Sequence, residues 1–188
     1  SRGLGDVYKR QQIGKVLDTL DELGLSDDTI VIFTSDHGFS LMEHNRWSKH
    51  NLFSVENRVP LMIRVPGLTQ KAQSQSYVEL IDLYPTITEL VGLETPARVE
   101  GISLVHNLKD PSLISKSLGY SRIWNGDMVV SPNYLYAEWR GEERGNIYDS
   151  MLYDLITDSL EMNNIVSQPK YKKLVDSLSQ KIKLKSVQ

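Results

Sequence analysis

Cysteine is absent from the 188 residues, which removes disulfides, thiolate metal sites and a cysteine nucleophile from this chain while leaving its redox compartment open. Also lacking is any apolar run near the roughly 18 residues that a membrane span requires, and no charged segment with a short apolar stretch opens the chain. No membrane span and no targeting signal are expected within it. Excess positive charge is missing too. With 21 Lys+Arg against 24 Asp+Glu the net charge is -3, and no basic stripe offers a footprint for nucleic acid, so no nucleic-acid partner is expected. What is present, 40% apolar and 24% charged residues, suits a globular domain able to bury a core.

The first residue is Ser1 rather than Met, and SRGLGDVYKRQ carries no convincing pattern. Residues 1–11 are set apart as an unmatched or artefactual leader, and the chain is expected to be a piece of a longer protein. From Ile13, apolar positions Ile13, Val16, Leu17, Leu20 and Leu23 fall on one helical face that closes at Gly24. Residues 30–33 form an apolar run without alternation, which predicts a strand buried on both faces in a parallel sheet. A second short strand is predicted over residues 61–65, confined by Pro60 and by Pro66 and Gly67. Pro85 and Gly92 bracket a helix over residues 86–91. Helix, strand, loop, strand, helix is an α/β order. Beyond Gly101, residues 118–123, 128–130 and 134–139 lie between turn formers and predict a small antiparallel sheet. Tyr171, Leu174, Val175, Leu178 and Ile182 give a closing helix packed on that sheet, with lysines towards its end.

In an open α/β sheet, ligands bind beyond the carboxyl ends of the strands, which singles out Thr34, Ser35, Asp36, His37 and Gly38. Asp36 and His37 can turn a carboxylate and an imidazole towards one cation, with Gly38 letting the backbone curl away. Glu43, His44, Arg46, Lys49 and His50 follow within a few residues. Each has a plainer reading alone. Asp-His-Gly is a common turn in which the aspartate caps amides, and a lysine in a polar loop is a solvated charge. Trp47 reads as loop packing rather than as a sugar platform.

The combination carries more than its parts. Residues 27–67, DDTIVIFTSDHGFSLMEHNRWSKHNLFSVENRVPLMIRVPG, resemble the type I, formylglycine-dependent sulfatases of the alkaline-phosphatase-like superfamily, most of all the iduronate-2-sulfatase-like branch. QIGKVLDTLDELGL, DLYPTITELVGL, EGISL and LYDLITDSLEMNNI extend the likeness over nearly everything from Gln12. The fold this implies is the C-terminal part of an alkaline-phosphatase-like mixed sheet flanked by helices over residues 12–110. A small antiparallel sheet with a C-terminal helix would follow over residues 111–188.

The resemblance also implies chemistry. Asp36 and His37 would be metal ligands, Lys49 the catalytic residue that contacts the substrate's sulfate, and His44 a further substrate contact. The metal would be a calcium ion and the partner a sulfated carbohydrate substrate, met in a periplasmic or extracellular location. Ligand softness alone leaves the metal open, because an imidazole nitrogen also suits zinc or manganese. The formylglycine nucleophile, made from Cys or Ser in a Cys/Ser-x-Pro-x-Arg segment, is expected in an N-terminal half outside this sequence. Ser131 and Pro132 are followed by Asn133 and Tyr134, which does not fit. The chain is therefore expected to be inactive alone, and poorly soluble, since half a sheet exposes apolar faces and a strand edge. A phosphonate monoester hydrolase or phosphodiesterase of the same superfamily is the alternative, and a non-catalytic carbohydrate-binding relative is another.

Overall fold

The computed structural model describes residues 2–141 and 145–186. In chain order these form α1 (Arg2–Glu22), β1 (Val31–Thr34), β2 (Ser40–Leu41), β3 (Trp47–Ser48), α2 (Ser54–Asn57), β4 (Leu61–Arg64), α3 (Leu83–Leu90), α4 (Val105–Lys109), β5 (Gly119–Ile123), β6 (Gly126–Val130), β7 (Tyr134–Arg140), β8 (Ile147–Asp154) and α5 (Lys172–Ser186). They fall into two compact units, Ser1–Thr34 with Leu61–Lys71, and Ser35–Pro60 with Ala72–Gln188.

In the first unit, α1 begins at Arg2, well before the periodic face that predicts it. Leu, Lys, Arg and Gln in that stretch are good helix formers, and a helix extends into such residues once nucleated, whether or not they alternate. Gly24 ends it at φ +66, with the Gly24 and Leu25 amides donating to the Asp21 and Leu20 carbonyls. β1 and β4 pair antiparallel, Val31 opposite Arg64 and Thr34 opposite Leu61. This corrects the parallel setting expected for residues 30–33, and all four β1 residues are half-buried rather than buried. An unbroken apolar run reports burial demand, not strand direction. A parallel neighbour also needs a crossover, usually a helix, and the only helix longer than one turn's fragment between β1 and β4 is the four-residue α2.

The second unit centres on the antiparallel sheet β5-β6-β7-β8. Its side chains alternate with period two. Met128, Leu135, Ala137, Met151 and Tyr153 face one way and pack with Leu52 and Phe53. Val129, Tyr136 and Leu152 face the other and pack with Leu178 and Ile182 of α5, as the stripe on that helix predicts. β8 was not legible beforehand, because its buried Met151, Leu152 and Tyr153 are preceded by exposed residues that blur the alternation.

Two buried polar clusters hold this unit. Glu138, fully buried, accepts from Arg140 Nε at 2.9 Å and from the Tyr136 hydroxyl at 2.9 Å. Beside α3, Lys116 Nζ donates to both oxygens of the buried Asp82 at 2.8 Å and also pairs with Glu79. Asp82 Oδ1 accepts the Ile102 amide at 2.9 Å. A Cβ on Gly101 would collide with the Ile81 carbonyl. The DLYPT and EGISL segments are thus direct neighbours, and the glycine permits their contact. Among the described residues no helix is long and apolar enough to cross a membrane.

Candidate functional site

Asp36, His37 and Lys49 come together in the second unit. The loop after β1 is pinned first by Gly38, whose amide donates to the Glu56 carbonyl at 2.7 Å. A Cβ there would strike the Val55 carbonyl oxygen. Gly38 therefore serves close backbone approach, and its φ lies outside the positive region. A second pin is Ser40 Oγ, which donates to Glu56 Oε1 at 2.6 Å; both residues are buried. Leu52 and Phe53, just before α2, sit in the sheet's core, and the Ser54 amide donates to Glu161 Oε2 at 3.0 Å. The site loop is thereby tied to the sheet at its far end.

Between these pins β2 and β3 form a ribbon, Ser40 opposite Ser48 and Leu41 opposite Trp47. The return passes through Met42, His44 and Asn45, all at positive φ. It brings Lys49 Nζ to 2.9 Å from His37 Nε2, while Asp36 Oδ2 lies 3.4 Å from the same nitrogen. An ammonium only donates and a carbonyl only accepts. The Nδ1 of His37, 2.7 Å from the Gly38 carbonyl oxygen, therefore carries the proton, and the Nε2 lone pair faces Lys49. That is the tautomer a metal-ligating imidazole requires, with the second nitrogen held by the backbone.

The donor set fits one edge of a cation's shell. Asp36 Oδ2 and His37 Nε2 lie 3.4 Å apart, close enough that one divalent cation could contact both. Partial desolvation raises the Asp36 carboxyl, but backbone hydrogen bonds, that of the His37 amide above all, and the nearby Lys49 ammonium pull it down. The net shift is downward from its ordinary value, and the group is ionised at neutral pH. Among the described residues no group of three or more His, Cys, Asp or Glu could hold a metal. If a metal binds here, Asp36 and His37 would supply two of its ligands and others would have to come from elsewhere.

The ring of His44 stacks on Phe53, with centroids 3.7 Å apart and planes at 6°, and Phe53 in turn meets Tyr153. Trp47 packs edge-on against Phe39 yet stays 65% exposed. His50 lies against Trp124, centroids 5.2 Å apart. Trp124 and Tyr148 were not singled out from the sequence. A Trp-Asn-Gly turn between two strands was the available signal.

The loop after β1 thus presents a carboxylate, an imidazole and a lysine to one point, and solved structures share the fold that carries it. A complex with its substrate D-glucosamine-2-N,6-O-disulfate matches with a TM-score of 0.83 and 25% identity, over 93% of this chain and 37% of that one. The phosphonate monoester hydrolase from Silicibacter pomeroyi matches with a TM-score of 0.80 and 25% identity, over 91% and 37%. Residues 8–93 match the Sulfatase family model. The chain is 31% identical over 184 residues to arylsulfatase K of Bos taurus, covering 91% of this chain and 33% of the relative. It is 29% identical over 243 residues to iduronate 2-sulfatase of Mus musculus, covering 91% and 44%. Residues 8–93 belong to the sulfatase family, and the chain spans less than half the length of these curated relatives. The family match begins at residue 8, within the stretch 1–11 set apart above.

Proposed function

We propose that this chain supplies the metal-binding edge and the sulfate-contacting lysine of a sulfatase that hydrolyses sulfate monoesters of carbohydrates. The observation that carries this reading is the convergence of Asp36, His37 and Lys49 within 3.4 Å inside the family-matched residues 8–93. Asp36 and His37 would hold a divalent cation, calcium by family resemblance, which when bound polarises sulfate oxygens as a Lewis acid. Lys49, on the same point, donates to a sulfate oxygen and neutralises charge on the group and on the leaving oxygen. The Gly38 carbonyl keeps His37 in its ligating tautomer, and the ionised Asp36 needs no proton removed before it binds. No residue here offers the formylglycine nucleophile, since the sequence holds no cysteine and no Ser-x-Pro-x-Arg segment. The 188 residues alone are accordingly expected to release no sulfate. A sulfated sugar as substrate is supported by the neighbour solved with D-glucosamine-2-N,6-O-disulfate, and a periplasmic or extracellular location belongs to the same proposal.

The likeness to phosphonate monoester hydrolase favours one second reading, because both esters present a tetrahedral anion to the same cationic groups. The test is to express the complete open reading frame encoding this chain with a formylglycine-generating enzyme and assay sugar sulfates, a phosphonate monoester and a phosphodiester. Sulfate release supports the sulfatase. Cleavage of the phosphorus esters alone moves the protein to the second reading, and sugar binding without any hydrolysis makes it a non-catalytic relative. In parallel, calorimetric titration with calcium should show binding that Asp36→Asn weakens; unchanged binding would reduce Asp36 to a turn residue.

A further inference from the structure

The ribbon that carries Lys49 has little to hold it in place by itself. β2 and β3 pair at two positions, Ser40 with Ser48 and Leu41 with Trp47, and an isolated hairpin is at best marginally stable in water. Its return adds strain. Met42 sits at φ 91, His44 at φ 53 and Asn45 at φ 55, a region that destabilises side chains other than glycine, bulky ones most. Burial of the loop does not offset this, for Met42 and Trp47 are exposed. Of the four paired residues Ser40 alone is buried. The ribbon is anchored there.

The anchoring group is a carboxylate that the fold has no need of. Ser40 Oγ donates to Glu56 Oε1 at 2.6 Å, a length typical of a hydroxyl bound to a carboxylate and of a bond stronger than one between neutral groups. Glu56 is 2% exposed, and among the described residues its second oxygen, Oε2, is buried with no hydrogen-bond partner. Burying a carboxyl with one oxygen unsatisfied destabilises a protein relative to an apolar side chain in the same space. Such a conflict between group and surroundings is the mark of a residue kept for the site and not for stability. The backbone of the same residue adds a second grip, since the Glu56 carbonyl accepts the Gly38 amide at 2.7 Å. Residue 56 thus holds positions 38 and 40, directly after His37 and directly opposite Ser48, the neighbour of Lys49.

We propose that Glu56 is a positioning residue for the sulfate-contacting lysine: its carboxylate, through Ser40 and the Ser40–Ser48 pairing, fixes the ribbon and with it the approach of Lys49 Nζ to His37 Nε2, 2.9 Å away. Glu56 acts through Ser40 and not on the sulfate itself. The proposal rests on the sulfatase reading above, which gives Lys49 its role. A drift of about 1 Å in a catalytic group can lower a rate by about a hundredfold, which accounts for a buried carboxylate at this point.

The test uses the complete protein with Glu56→Ala, Glu56→Gln and the double variant Ser40→Ala/Glu56→Ala. Glutamine keeps an oxygen for the Ser40 hydroxyl but buries an amide in place of Oε2, so it restores the anchor without restoring stability. With rates expressed per folded protein, kcat for release of sulfate from a sulfated glucosamine should fall about tenfold in Glu56→Ala with KM little changed. Glu56→Gln should stay within about twofold of wild type whatever its melting temperature, and the double variant should fall no further than Glu56→Ala. If Glu56→Ala does not fold, the double variant, which leaves no hydroxyl without its acceptor, is read in its place. In protein freed of metal by a chelator, the ring-nitrogen resonance of His37 Nε2 should move in Glu56→Ala towards that of an imidazole with no donor, and hold its place in Glu56→Gln. Undiminished kcat in Glu56→Ala, or equal losses in the alanine and glutamine variants, overturns the proposal. If the wild type releases no sulfate, the sulfatase reading fails on its own and the resonance decides. Displaced in Glu56→Ala alone, it still supports the anchor; unmoved there, or displaced equally in Glu56→Gln, it overturns it.

Discussion

The two units of this chain differ in what holds them. In the unit made of Ser1–Thr34 and Leu61–Lys71 no described residue is buried, and Val16 and Leu23 on the predicted helix face are 70% and 66% exposed. In the other unit Val129, Leu135 and Leu152 are wholly buried, with Glu138 buried among them. Regular secondary structure thus forms in both, but only the second has a core of its own. Asp36, His37 and Lys49 belong to that second unit, and their loop ends in Leu52 and Phe53 of its core. Site geometry is inherited from the sheet, while the first unit's apolar surface waits for cover.

The comparison can be broken at several points. The largest effect is expected from Arg140→Met, which leaves the Glu138 carboxylate buried without its cation. Denaturant unfolding should show a loss of about 3–5 kcal/mol, and a loss under about 1 kcal/mol would mean that the pair does not hold the sheet. Gly38→Ala should cost about 1–3 kcal/mol by forcing a Cβ against the Val55 carbonyl. It should also shift the His37 ring resonances in NMR, whereas unchanged resonances would separate Gly38 from the site.

Alkaline stability is a third point. Burial first, and then the Glu138 charge, hold the Tyr136 phenol well above its ordinary value of 10.0. The folded state therefore keeps a proton that the unfolded chain releases near pH 10. This contribution is complete below that pH and is lost as pH rises further. Circular dichroism against pH should show the sheet weakening above about 10, with a shallower decline in Tyr136→Phe; parallel curves would contradict this account. The smallest effect belongs to the first unit, where Leu23→Ser should change stability by no more than about 0.5 kcal/mol. A loss several times larger would show that this unit has a core after all.

Much of this was readable in the sequence, for local reasons. The stops at Gly24 and Gly92, both at positive φ, and the apolar stripe of α5 are set by neighbouring residues along the chain. Asp36, His37 and Lys49 could be grouped only through the resemblance of residues 27–67, because eleven residues lie between His37 and Lys49 and a ribbon closes the gap. What escaped depends on partners distant in sequence. The antiparallel direction of β1 and β4, the close approach at Gly38 and the Lys116–Asp82 pair are settled by packing. In YLYAEWR, the alternation marks Tyr136, Glu138 and Arg140 as one face, and a polar face would ordinarily be solvated. Here α5 covers part of it, and the charges pair with each other. The backbone of Trp124 was equally hidden, since no pattern of residue types reveals a positive φ at tryptophan.

The central claim is that the point where His37 and Lys49 meet is a sulfate-handling site. The most direct measurement is the rate of sulfate release from a sugar sulfate by the complete, formylglycine-loaded protein and by its Lys49→Ala variant, with both checked for equal thermal stability. The account predicts a fall of about 10²–10³-fold in kcat; an undiminished rate in the variant would contradict it.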